Sequence, residues 1–263
     1  MTPPPAPGAT RTRGSTAGLR ASSVRQVLPS WGVHAYTATG VVLAMLIVMA
    51  AWDGAVGRAL WLGLIALVVD GTDGMLARRA DVRTHLPWFD GAMLDNIVDY
   101  LTYTFAPMVL LWSNGYLGSG FSATLLAVVP LVASAYQFCR VDAKTDDHMF
   151  LGFPSYWNVV AFYIIVCGIG QVGTAVLLLT CAVLVFVPIT YVYPSRTAAF
   201  RTLTLSLTAL WLVTYAVLLA RGVSASDGVW LWISLAYLVY YAALSLHLTL
   251  RRHQAGQLTK QFA

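Results

Sequence analysis

The sequence predicts an all-α integral membrane protein with about eight transmembrane helices. Two observations carry this. The 263 residues are 58% hydrophobic and only 10% charged, far from soluble composition, and the apolar runs approach the ~20 residues that cross a bilayer. Basic residues also gather at alternate ends of those runs, an asymmetry that fixes orientation in a membrane.

The expected spans are 32–51, 57–77, 92–112, 121–140, 154–170, 174–193, 203–220 and 229–249. Ahead of them, residues 1–28 are rich in Pro, Ser, Thr and Arg and lack apolar periodicity, which predicts a disordered cytoplasmic tail. With both termini cytoplasmic, Arg58 and Arg221 are the only two of the 16 Lys and Arg residues on the far side. The net charge of +5 therefore reflects span-flanking residues that meet anionic head groups, and a nucleic-acid partner is not expected. Cys139, Cys167 and Cys181 lie in apolar stretches without CxxC spacing and read as packing residues. Trp31, Trp52, Trp112 and Trp230 sit near span ends, where indoles favour the interface. The acidic connection 141–152, VDAKTDDHMFLG, reads as a solvated turn, with a role in gating or metal capture left open.

The chemistry is concentrated in spans two and three. Asp70 and Asp73, three apart, share one helix face, which Gly74 and Ala77 continue up to Arg78. On the next span Gly91, Asp95 and Asp99 recur every four residues, and Asp90 is placed to cap that helix. Small residues let two helices, or a helix and a ligand, approach closely. Carboxylates in apolar segments survive when they are paired, hydrated or bound to cations. Hard divalent ions, Mg²⁺ or Mn²⁺ and two of them, suit oxygen donors that also meet a diphosphate. Arg78 adds a fork-shaped phosphate donor.

The words Asp70, Asp73-Gly74-Met75-Leu76-Ala77-Arg78, then Gly91, Asp95 and Asp99 resemble the signature of the CDP-alcohol phosphotransferases. The spacer from Arg79 to Asp90 is longer than in most members and is similar to that of the bacterial phosphatidylcholine synthase branch. So are the flanking words VDGTDG, LPWFDGAMLDNIVDYLTY, FLGFPSYWNVVAFY and FVPITYVYPSRT. The resemblance implies a six-helix catalytic bundle at 29–202, two additional transmembrane helices at 203–250 and a cytoplasmic tail at 251–263, in a bacterial inner membrane. It implies transfer of a phosphatidyl group from CDP-diacylglycerol to choline, with release of CMP at the cytoplasmic face. Asp70, Asp73 and Asp95 would be metal ligands, and Asp99 the general base that also touches a metal. Asp70, Gly74, Ala77, Arg78 and Gly91 would border the CDP moiety. Members are commonly dimeric, so a homodimer is expected.

A quaternary ammonium calls for aromatic faces. Candidates near the cytoplasmic side are Tyr100, Tyr103, Tyr136, Tyr156, Trp157, Tyr191 and Trp88, with Tyr100 and the Tyr156–Trp157 pair favoured. His34, with Thr37 nearby, reads as an interhelical hydrogen-bonding residue in preference to a substrate contact, and Asn96 as interhelical glue. No Lys or Arg lies between Arg83 and Arg140, which favours a cationic acceptor over serine, inositol phosphate or glycerol phosphate. A divalent-cation transporter is the alternative of a different class. It would place its site near the midplane among broken or repeated helices.

Overall fold

The computed structural model describes residues 24–222 and 228–261. Helices dominate: α1 (Val24–Trp52), α2 (Val56–Arg79), a short α3 (Val82–His85), α4 (Gly91–Asp99), α5 (Ala106–Ser113), α6 (Gly120–Cys139), α7 (Trp157–Val166), α8 (Gln171–Phe186), α9 (Arg201–Ala220) and α10 (Val229–Gln261). A π-helical turn, Tyr100–Phe105, joins α4 to α5 without a break. Two three-residue strands, β1 (Met149–Leu151) and β2 (Thr190–Val192), pair antiparallel with Phe150 opposite Tyr191. Five of the helices, α1, α2, α6, α9 and α10, are long and apolar enough to cross a membrane, and α7 and α8 are shorter apolar helices. The protein is an all-α integral membrane protein, as its composition requires.

Each expected span contains helix, and the differences lie at ends. The run 154–170 yields helix only over Trp157–Val166, between Pro154 and a left-handed Gly168. The run 174–193 yields a helix that begins earlier, at Gln171, and stops short, at Phe186. Pro188 comes two residues later, and the residue before a proline is pushed out of helical geometry. The chain then extends into β2. The segment 141–152, expected as a plain turn, supplies β1. Of the expected N-terminal tail, residues 1–23 lie outside the described residues, while 24–28 begin α1. At the other end, residues 251–261 continue α10, and 262–263 lie outside the described residues.

The core lies between α5, α7 and α9. Trp157, Phe162 and Ile164 of α7 are fully buried together with Leu111 of α5, and Trp211 and Tyr215 of α9 close the other side. A helix apolar on every face is one enclosed on every face, which is how a ten-residue α7 finds its place. Two indoles inside the bundle find hydroxyl partners. The Trp157 indole donates to Ser134 Oγ at 2.6 Å, and the Trp211 indole to the Tyr163 hydroxyl at 2.9 Å.

The strand pair is held against α10. Ser245 and Thr249, four apart, accept from the backbone N–H groups of Val192 and Thr190 at 3.1 and 2.9 Å. One turn earlier, the Tyr241 hydroxyl donates to the Val192 carbonyl at 3.0 Å. Backbone groups in an apolar surrounding must find partners, and here helix hydroxyls serve the free edge of β2. Gly152 turns the chain out of β1 with φ +80°. A side chain there would overlap the Val185 carbonyl oxygen, so only glycine fits.

Candidate active site

The site forms where the end of α2 meets the start of α4. Asp90 stops the preceding loop by accepting from the backbone N–H groups of Ala92 and Met93, both at 3.0 Å, as an N-cap does. With the start set, Asp95 and Asp99 fall one turn apart on the face turned to α2. Carboxylate oxygens of Asp70, Asp95 and Asp99 come within 4.8 Å of one another, and all three residues are half-buried. Close, oxygen-only, hard donors fit a divalent cation such as Mg²⁺ or Mn²⁺.

Asp73 stands outside that group among the described residues. It is buried, and its Oδ2 accepts from Thr37 Oγ1 of α1 at 2.7 Å. Thr37, read from sequence only as a neighbour of His34, is thus the residue that orients the fourth carboxylate.

Gly74 and Gly91 have different surroundings. A methyl group at Gly74 would meet only Arg78 Nη1, at 3.4 Å, so this face of α2 is open beside a guanidinium. At Gly91 it would stand 2.6 Å from Cε1 of His34, so this glycine admits a neighbouring imidazole. His34 packs on Phe89 with ring centres 4.4 Å apart, and its Nε2 is buried without a hydrogen-bond partner. The interhelical role expected of His34 is met by packing, not by a bond from that nitrogen. Asn96 does bridge helices, donating to the Phe138 carbonyl at 3.4 Å.

The π-helical turn explains the next contact. Pro107 has no N–H, so the Tyr103 carbonyl has no partner four residues on, and Ala106 instead bonds back to Leu101. Tyr103, continuing the stripe of Gly91, Asp95 and Asp99, sends its hydroxyl to Asp70 Oδ2 at 2.5 Å. From there aromatic rings run outward. Tyr103 meets Tyr156 edge-on at 5.9 Å, Tyr156 lies 6.3 Å from Phe150 and 6.4 Å from Tyr241, and Phe150 stacks on Tyr193 at 4.7 Å.

Of the three favoured aromatic candidates, the structure brings Tyr156 to this group. Tyr100 is turned to α6, its hydroxyl donating to the Leu131 carbonyl at 3.2 Å. Trp157 is fully buried, with its indole committed to Ser134. Phe150, Tyr193 and Tyr241 were absent from the candidates because they come from β1, the residue after β2 and the last helix. Two cations also stand on this side, of which Lys144 carried no signal in the sequence. Lys144 Nζ stands 5.9 Å above the Phe150 ring and 6.0 Å above that of Tyr193. Both Lys144 and Arg196 lie near enough to act electrostatically on Asp95. Arg140 is instead paired with Asp142 at 2.7 Å.

The apolar helices, with three carboxylates converging at the join of two of them and cations and aromatic rings beside them, make the chain a membrane protein with the kind of site that an enzyme of phosphate-bearing lipids requires. Relatives narrow this class. A phosphatidylcholine synthase of Legionella pneumophila is 36% identical over 234 residues, covering 86% of this chain and 91% of its own. One from Pseudomonas aeruginosa is 40% identical over 193 residues, covering 73% and 80%. One from Borreliella burgdorferi is 32% identical over 221 residues, covering 84% and 94%. No protein-family model matches the chain. The chain belongs to the phosphatidylcholine synthase family.

Proposed function

We propose that this enzyme transfers the phosphatidyl group of CDP-diacylglycerol to the hydroxyl of free choline, releasing CMP. The observation that carries the reading is the convergence of Asp70, Asp95 and Asp99 within 4.8 Å beside an aromatic wall. Asp99 takes the proton of the choline hydroxyl. The choline oxygen then bonds to the phosphorus that bears diacylglycerol, the bond from that phosphorus to the bridging oxygen breaks, and CMP leaves. Asp70, Asp95 and Asp99 would hold divalent ions, with Asp73 fixed by Thr37 next to them. When bound, two such ions would neutralise the diphosphate and the charge that grows on the leaving group.

The remaining residues bind and orient. Tyr103 holds the Asp70 carboxylate through its hydroxyl. Arg78, beside the open face of Gly74 and Ala77, takes a phosphate oxygen of CDP, and Lys144 and Arg196 add positive charge from the opposite side. Tyr156, Tyr193, Phe150 and Tyr241 surround the trimethylammonium group, which can make no hydrogen bonds and is held by ring faces. Lys144 already rests an ammonium on two of those rings. The site faces the cytoplasm and both termini lie there, a reading supported by the side on which nearly all Lys and Arg fall. Homodimer formation belongs to the same proposal, and cross-linking in membranes tests it.

The test is incorporation of labelled choline into lipid by membranes carrying the chain and supplied with CDP-diacylglycerol and Mn²⁺. Labelled phosphatidylcholine and an equal amount of CMP are expected, lost on chelation and restored by the ion. Chelator-resistant synthesis would remove the metal from the scheme, and metal uptake without CMP release would point to transport.

A further inference from the structure

Away from the carboxylates, a cavity of about 280 Å³ opens between the end of α10, β1 and the segment before α9. Met149, Leu248 and the buried Thr197 line its floor, while the exposed Asp147, Arg251 and Arg252 form its rim. Arg252 Nη2 bonds Asp147 Oδ1 at 2.9 Å, and among the described residues Arg251 has no ion-pair partner. Two guanidinium groups against one carboxylate leave the rim with one net positive charge. It lies where the apolar length of α10 gives way to its charged end, the level of lipid phosphates in a bilayer. A largely apolar floor under a singly positive rim matches a phosphodiester with one negative charge and a glycerol root.

We propose that this cavity binds one anionic phospholipid by its phosphodiester, as an accessory site distinct from the carboxylate cluster, and that the lipid competes with Asp147 for Arg252. Asp147 stands two residues before β1, whose Phe150 forms part of the aromatic wall. Lipid binding and the anchoring of that strand to α10 are therefore linked.

The experiment counts phosphatidylglycerol retained by the purified full chain from detergent micelles, read by native mass spectrometry, so it does not depend on turnover. The double variant Arg251→Gln/Arg252→Gln is expected to weaken retention about tenfold, while Arg83→Gln, an exposed arginine elsewhere, leaves it unchanged. Asp147→Asn removes the competitor and is expected to raise retention several-fold. Equal retention by the double variant, an equal loss with Arg83→Gln, or no gain with Asp147→Asn overturns the proposal. Release of the lipid by millimolar inorganic phosphate overturns its lipid character.

Discussion

The two walls of the site are made in opposite ways. The acidic wall comes from α2 and α4, which are close in sequence and separated by the segment 80–90 that holds α3. The aromatic wall draws Tyr103 from the π-helical turn, Phe150 from β1, Tyr193 from the residue after β2, Tyr156 from the start of α7 and Tyr241 from α10. One wall is local and charged; the other is assembled from five places and neutral. Chemistry that needs charge in an apolar setting is secured by a rigid helix pair. On the proposed reading, recognition of a bulky cation falls to rings brought together from separate elements, with Tyr241 supplied by α10.

Substitutions can separate the walls. Asp99→Asn should lower kcat by about 10²–10⁴-fold, the usual worth of a general base, with binding of the nucleotide lipid partly retained. Near-normal turnover would move the base elsewhere. Tyr156→Ala addresses the other wall. It should raise KM for choline about tenfold, from a cation–π contribution of about 1 kcal/mol and the packing lost with it, while KM for CDP-diacylglycerol stays unchanged. A shift in both constants would merge the two walls into one.

The same contrast explains what the sequence made legible. Asp70, Asp73, Asp95 and Asp99 stand out because a carboxylate in an apolar run is rare and its spacing reads directly as a helix face. The Asp90 cap was legible for a similar reason, a short polar side chain at the start of an apolar helix. Aromatic residues make up 12% of the chain, so no single ring stands out, and packing alone separates Tyr156 from its neighbour Trp157. Tyr103 did carry a signal, since it extends the four-residue stripe of the aspartates. β2 did not: its residues Thr190–Val192 continue an apolar run, and only Pro188 marked the end of helix. Nothing in the loop 141–152 announced that the Lys144 ammonium would rest over the Phe150 and Tyr193 rings.

A milder change probes the join itself. Gly91→Ala puts a methyl group 2.6 Å from the His34 ring, and such overpacking costs about 1–3 kcal/mol. Thermal unfolding in detergent should show the loss, and His34→Ala in the same chain should recover part of it by making room. If Gly91 serves the nucleotide alone, the single variant instead keeps its stability and loses affinity for CDP-diacylglycerol, and the second change rescues nothing.

The smallest effect lies furthest from the charges. Tyr241 touches the site twice, through its ring near Tyr156 and through its hydroxyl on the Val192 carbonyl. Tyr241→Phe keeps the ring and removes the bond. The Val192 carbonyl then lacks that donor in a place with little water, a loss of about 1 kcal/mol. Because Val192 lies opposite Met149 in the strand pair, a looser β2 also loosens the strand that carries Phe150. The expected result is a few-fold rise in KM for choline with kcat nearly unchanged. A drop in kcat at constant KM would mean that α10 reaches the reacting phosphate, and the division between a local acidic wall and an assembled aromatic one would fail.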